Sequence, residues 1–365
     1  MSTKLLKFTI SRRASGAFTL AELLVSIVVV VIIVLMGAQL MTSTTAITRT
    51  AHKHIDTDTQ ARVVFDRMAL DFAQMLKRTD IDYYVKQRSG YNGHNNGHGW
   101  GRGKNGDKGS DQIAFFSAVP GYYPSNPAGE HSPISLVAYR VTESTQSWAA
   151  ASYGGLSRMA KGLHWAGVDD NNLTNKPYPI IFSPGQVVTG AGPWGNQWQA
   201  AINNDNPQNG NFDADYEVIG PGVFRFEYFY LLKNGRVTDW PWDRWLDTIN
   251  RQKISDPPSI GLSQVEAIGV AIAVINPEAR ALIQQTAAGG AGNGDVLDIA
   301  ADLADFKNAN GVGNAGKKIG DMENKWKGVV ESIAQTGQTP SNKLIPREAA
   351  KGIRIYSRYF DLKTL

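Results

Sequence analysis

The chain of 365 residues predicts an α+β fold: a long N-terminal α-helix, transmembrane and then amphipathic, packed on antiparallel β-sheet, with a helical insertion near the C-terminus. Three observations carry this. An apolar run fills Leu23 to Ala38, apolar positions then recur every three or four residues from Ala61 to Leu76, and short β-branched and aromatic runs follow, bounded by Pro and Gly.

The first seventeen residues form a leader carrying Lys4, Lys7, Arg12 and Arg13 and no acid, and ending in the small pair Gly16-Ala17. The apolar stretch that follows, residues 18–40, is long enough to cross a bilayer's hydrocarbon core. Its upstream cations place the leader in the cytoplasm and the remainder outside the inner membrane. Glu22 is the odd residue, because a carboxylate near the start of a membrane helix is expensive and usually functional. A secretory signal also puts its small-residue cleavage site after the apolar run, whereas here the small pair precedes it.

Residues 41–80 read as the amphipathic half of the helix. Ala61, Val64, Phe65, Met68, Phe72, Met75 and Leu76 share one face, and Arg62, Asp66, Arg67, Asp71 and Lys77 turn away from it. No Pro precedes Pro120, so a near-continuous helix to about Arg78 is allowed, with the Thr-rich stretch Thr42 to Thr50 its weakest part.

Residues 81–365 read as a globular β-rich head. Its segment 90–109 is too rich in Gly and Asn to bury its own surface, so it is a mobile loop, and His94 and His98 in it lack the helix that metal binding at that spacing needs. Strands are expected at 111–116 and 134–141, with Gly155 to Met159 and His164-Trp165 as a further short strand and its neighbour. The run 218–230 alternates from Val223, and Asn234-Gly235 offers a hairpin turn. Residues 265–275 read as a buried central strand and 353–360 as a closing one. Between them, at 278–345, lies the helical insertion, with Val296, Ile299, Leu303 and Phe306 on one face and a second helix at 321–333.

FTLAELL, residues 18–24, resembles the class III signal of type IV pilins and type II secretion pseudopilins. The resemblance implies cleavage by a prepilin peptidase between Ala17 and Phe18, methylation of the new N-terminus, and Glu22 as the fifth mature residue. Glu22 would then pair with the N-terminal ammonium of a neighbouring subunit, Phe18 and Glu22 together setting register during assembly. The family usually has Gly before the cut. Here Gly16 stands one residue further back, and cutting there would put Glu22 sixth. The strand ending Tyr139-Arg140-Val141, then Leu156-Ser157-Arg158, and the Phe224 to Tyr228 strand followed by Trp240-Pro241-Trp242 resemble the J-type minor pseudopilins. With the Gly/Asn loop and the late insertion, the chain also resembles the verrucomicrobial prepilin-like cassette family (Verru_Chthon cassette protein C). The insertion after Pro277 departs from the J-type pattern.

The resemblance implies a minor pilin or pseudopilin in the initiation or assembly of a type II secretion pseudopilus or type IV pilus-like fibre. Its partners would be the prepilin peptidase, other pilin or pseudopilin subunits, the inner-membrane assembly platform and membrane lipid. The implied location is single-pass in the inner membrane, with the head in the periplasm or a cell-envelope fibre. The alternative is a membrane-anchored adhesin or carbohydrate-binding protein that uses the helix only as an anchor, with Trp240, Trp242 and Trp245 as its aromatic surface. Those tryptophans read more readily as a buried, loop-locking patch than as an exposed site.

Nucleic acid is not an expected partner. The formal net charge is +4, from 37 basic and 33 acidic residues, and the four leader cations account for it, since 37 − 4 = 33. No cysteine is present, which excludes disulfides and thiolate chemistry. The sequence has no G-x-S-x-G, H-E-x-x-H or phosphate-cradling glycine loop between strand and helix, so no enzyme activity and no cofactor are expected. The one ion considered is calcium, at Asp205, Asp213, Asp215 and Glu217, where several pseudopilins carry it in similar loops and where a solvated polar loop is the alternative.

Overall fold

The computed structural model describes residues 19–78, 81, 110–122, 131–144, 152–164, 167–168, 202, 213–238, 241, 262–290, 292–303 and 318–362. The fold is α+β, an N-terminal apolar helix with two antiparallel sheets. The chain divides into two compact units, Met1–Lys53 and His54–Leu365.

In the first unit, helix α1 (Leu20–Ala73) begins. The Thr-rich stretch does not interrupt it. The hydroxyls of Thr44, Thr45 and Thr48 donate to the carbonyls of Leu40, Met41 and Thr44 at 2.8, 2.8 and 2.9 Å, and that of Thr42 donates to Ala38. Back-bonding of this kind satisfies each hydroxyl within the helix, which suits a medium without water.

Among its described residues, the second unit contains the C-terminal part of α1, two sheets and four further helices. The helix ends at Ala73, short of the expected limit near residue 80. Met75 and Leu76 still fit the helical spacing, but their backbone is taken by the first sheet. Leu76 N–H donates to Phe116 O at 2.8 Å, and Gln74 O accepts from Ala118 N–H at 3.0 Å.

The first sheet has the order β1 (Gln112–Ser117), β2 (His131–Ser144), β3 (Ser152–His164), β4 (Gly167–Val168), with β5 (Tyr216–Gly220) also paired to β3. The short strand and neighbour expected around Gly155 and His164 are one strand of 13 residues. The second sheet has the order β7 (Val237–Thr238), β6 (Val223–Leu232), β8 (Val265–Ile275), β9 (Ile353–Asp361). Asn234-Gly235 makes the β6–β7 hairpin, with Gly235 at φ +78°, and β8 is the buried central strand expected at 265–275, its second residue Glu266 alone being exposed.

Alternation in β6 does not mark an exposed face. Every residue from Val223 to Tyr230 is buried, because both faces of the second sheet are covered. On one side, Phe226, Tyr228, Ile272 and Phe360 pack with Ala61, Val64, Phe65, Met68 and Phe72 of α1 and with Phe115, Val137 and Tyr139 of the first sheet. On the other, Phe224, Phe229, Ala273 and Ile355 pack with the helical insertion. That insertion comprises α2 (Pro277–Ala287), α3 (Val296–Asp302), α4 (Asp321–Thr336) and α5 (Arg347–Ala350). Trp326 of α4 is fully buried, and the Arg225 guanidinium lies 5.7 Å from its ring centroid. At Gly269 of β8 a Cβ would stand 2.2 Å from the Phe229 ring, so only glycine lets that aromatic lie across the sheet. Phe306 and the Gly/Asn segment with His94 and His98 lie outside the described residues.

Polar contacts hold the α1 half in place from both sheets. Asp71, placed by its spacing on the outward side, is fully buried. Arg158 of β3 donates to it twice, Nε to Oδ2 at 2.6 Å and Nη2 to Oδ1 at 2.8 Å, and the Tyr139 hydroxyl donates to Oδ2. Burial first, and the Asp71 charge second, push the Tyr139 hydroxyl well above its ordinary range, so it stays a donor.

From the other sheet, Arg358 pairs with Asp66 at 2.7 Å. The Tyr356 hydroxyl stands 3.1 Å from the Thr57 hydroxyl and donates to Asp58. Burial, helped by Asp58, raises Tyr356 from the ordinary 10.0 to about 12. A raised acid stabilises the fold in its protonated form, so this contribution is complete below pH 10.0 and is lost as pH rises through about 12. Alkaline unfolding of wild type and Tyr356→Phe should therefore differ in pH dependence over that window. Superimposable pH profiles would remove Tyr356 from the account.

Candidate assembly site at the start of the N-terminal helix

From Thr19 to Thr45 every residue is exposed, although the segment is apolar. Leu20–Thr45, 26 residues, is long and apolar enough to span a membrane. At about 1.5 Å per residue it reaches roughly 39 Å, more than the ~30 Å hydrocarbon core.

Glu22 lies in the first turn of this helix. Its Oε2 accepts from both the backbone N–H and the hydroxyl of Thr19, each at 3.0 Å, while Glu22 N–H donates to Thr19 Oγ1 at 3.3 Å. Thr19 is thus the N-cap and Glu22 the third helical residue of a reciprocal capping box, which satisfies donors that lipid would leave bare. The Ser26 hydroxyl donates to Glu22 O at 2.7 Å. Among the described residues only Oε2 receives donors, so Glu22 Oε1 can accept a further one, and an anionic group at a helix N-terminus is favoured by the helix dipole. Sequence reading singled out Glu22 and missed Thr19. The signal was present as T-x-x-E ahead of an apolar run. Ala17 and Phe18, the residues of the expected processing site, lie outside the described residues.

Of the acidic residues considered for calcium, Asp213 and Asp215 make contacts of their own. Asp205 lies outside the described residues. Asp213 is buried, and its Oδ1 accepts the Asp215 N–H at 3.0 Å. Asp215 meets Lys161 Nζ at 2.6 Å and the Tyr122 hydroxyl, and Glu217 is exposed on β5. Among the described residues, no group of three or more His, Asp or Glu side chains is placed to hold a metal ion. Trp240, Trp242 and Trp245 lie outside the described residues, so neither reading of that aromatic cluster is advanced.

No family model matches the chain, and no curated protein or solved structure matches it either.

Proposed function

We propose that this chain is a minor pilin or pseudopilin: a prepilin-like subunit cut by a prepilin peptidase, held in the inner membrane by α1, and drawn from it into a type II secretion pseudopilus or type IV pilus-like fibre. The observation that carries this reading is the position of Glu22. A carboxylate in the first turn of an exposed, membrane-length helix, preceded in sequence by FT and a basic leader, suits a group that must meet a cation at the membrane. In this reading the new N-terminal amine of a neighbouring subunit supplies that cation, Glu22 Oε1 receives it, and the pair sets the register of each added subunit. Thr19 holds the carboxylate meanwhile. The head, carrying the insertion on its second sheet, selects which subunits it meets from the periplasmic side. The work is mechanical, and the function needs no bound cofactor.

The test is the N-terminus of membrane-extracted protein made with and without a co-expressed prepilin peptidase. The expected product is a chain starting at Phe18 with one added methyl group, formed only when the peptidase is present. A chain that still starts at Met1 under both conditions, or one cut beyond Ala38, would overturn the reading.

A further inference from the structure

Lys161 and Asp215 bring an amine and a carboxyl into contact within the head. Lys161 is on β3, and Asp215 immediately precedes β5, which pairs with β3 through Met159 and Tyr216. Nζ stands 2.6 Å from Oδ2, and the two side chains are only 4% and 13% exposed. Backbone pairing fixes both partners. Tyr122 N–H donates to Ala160 O at 2.9 Å and Gly162 N–H donates to Tyr122 O at 2.7 Å, which brackets Lys161, while Asp213 Oδ1 holds the Asp215 N–H. From this bracket the Tyr122 hydroxyl reaches the other carboxyl oxygen, Oδ1.

We propose that Lys161 and Asp215 condense to an intramolecular amide that cross-links β3 to the start of β5. A proton first passes from the ammonium to Oδ2, giving neutral amine and neutral acid. The Nζ lone pair then attacks Cγ, the Nζ–Cγ bond forms, and the Cγ–Oδ2 bond breaks. Of the three ammonium protons one stays on the amide nitrogen and two leave with Oδ2 as water. Charge that gathers on Oδ1 during attack is met by the Tyr122 hydroxyl, and Oδ1 becomes the amide carbonyl. The step consumes no oxidant, reductant or cofactor.

Three features favour the amide over a lasting ion pair. Strand pairing holds the reacting atoms in contact, the condition under which intramolecular reactions gain most. Burial raises the Asp215 carboxyl above its ordinary range, which brings the neutral pair required for attack closer in free energy. A persistent ion pair would also keep two charges out of water, at a desolvation cost that the amide does not carry. The chain has no cysteine, so no disulfide can staple this head, and an amide closing the stretch from 162 to 214 would restrict its unfolded state in the same way.

This inference is independent of the pilus reading, and its test does not use the N-terminus. Full-length wild-type protein, extracted and fully denatured, is digested and its peptides are weighed. The expected result is a branched peptide joining Lys161 to Asp215, lighter by one water than its two arms together, with Lys161 inert to amine-acylating reagents. Lys161→Arg, which keeps a cation opposite Asp215 but cannot form this bond, should lack the branched peptide. Full recovery of linear wild-type peptides with a free Lys161 amine would overturn the proposal. A water loss confined to the Asp215 peptide alone, as in an aspartyl succinimide, would overturn it equally. Because wild type supplies the deciding readout, the folding of the variant does not matter.

Discussion

Glu22→Leu is expected to leave the protein in the membrane and to remove it from fibres. Leucine extends the apolar run, so anchoring by Leu20–Thr45 survives. What disappears is the carboxylate that would receive a neighbour's ammonium. A neighbour's ammonium then has no counter-charge at the membrane, so the subunit should be lost from the fibre fraction. The measurement is the ratio of subunit in sheared fibre to subunit in membrane, by immunoblot, in cells expressing the assembly machinery. Glu22→Gln separates two roles of this residue, since its amide oxygen can still accept from Thr19 while the charge is gone. If Gln incorporates like wild type and Leu fails, the capping box is the requirement and the ion-pair mechanism is wrong. Normal incorporation of both variants would remove Glu22 from assembly altogether. If no fibre forms even with wild type, while the head still sits at the cell surface, the anchored binding protein becomes the better reading.

Asp71→Ala should produce the largest loss of stability within the head, about 3–5 kcal/mol, because it strands the Arg158 guanidinium in the core. Urea unfolding of the detergent-extracted protein, followed by tryptophan fluorescence, gives the value. The double variant Asp71→Leu with Arg158→Met should recover most of it, since two apolar groups of similar volume remove both charges together. A single-variant loss below about 1 kcal/mol would put this pair in the class of exposed salt bridges and contradict its burial. The Tyr139 hydroxyl contributes to the same loss, because it too donates to Asp71.

The reach of sequence reasoning follows from the range of the interactions. Strand β8 was legible because the apolar run Ala267 to Ile275, rich in Val and Ile, needs burial on both sides, whatever supplies it. The buried face of α1 was legible because Ala61, Val64, Phe65, Met68 and Phe72 repeat at the helical period. Asp71 was misplaced for the same reason: the period marks the edge of the apolar face, and the partner that draws Asp71 inward is 87 residues away. Helix α2 was not singled out, although Asn276 as N-cap and Pro277 at the first helical position are local signals that announce it. The Thr19–Glu22 box was likewise local and overlooked.

By itself, the sequence determined what depends on neighbours along the chain: a membrane-length apolar helix, the buried strand β8, the hairpin at Asn234-Gly235, and a carboxylate at the start of the span. Propensity, periodicity and hydropathy act over a few residues and need no knowledge of the rest. Only the tertiary structure decided which groups meet. It ended α1 at Ala73 by taking its next residues into β1's edge, covered both faces of β6, gave Asp71 to Arg158, and set Lys161 against Asp215. Each of those outcomes turns on burial of groups distant in sequence, where the cost of an unpaired charge or backbone donor outweighs any local preference.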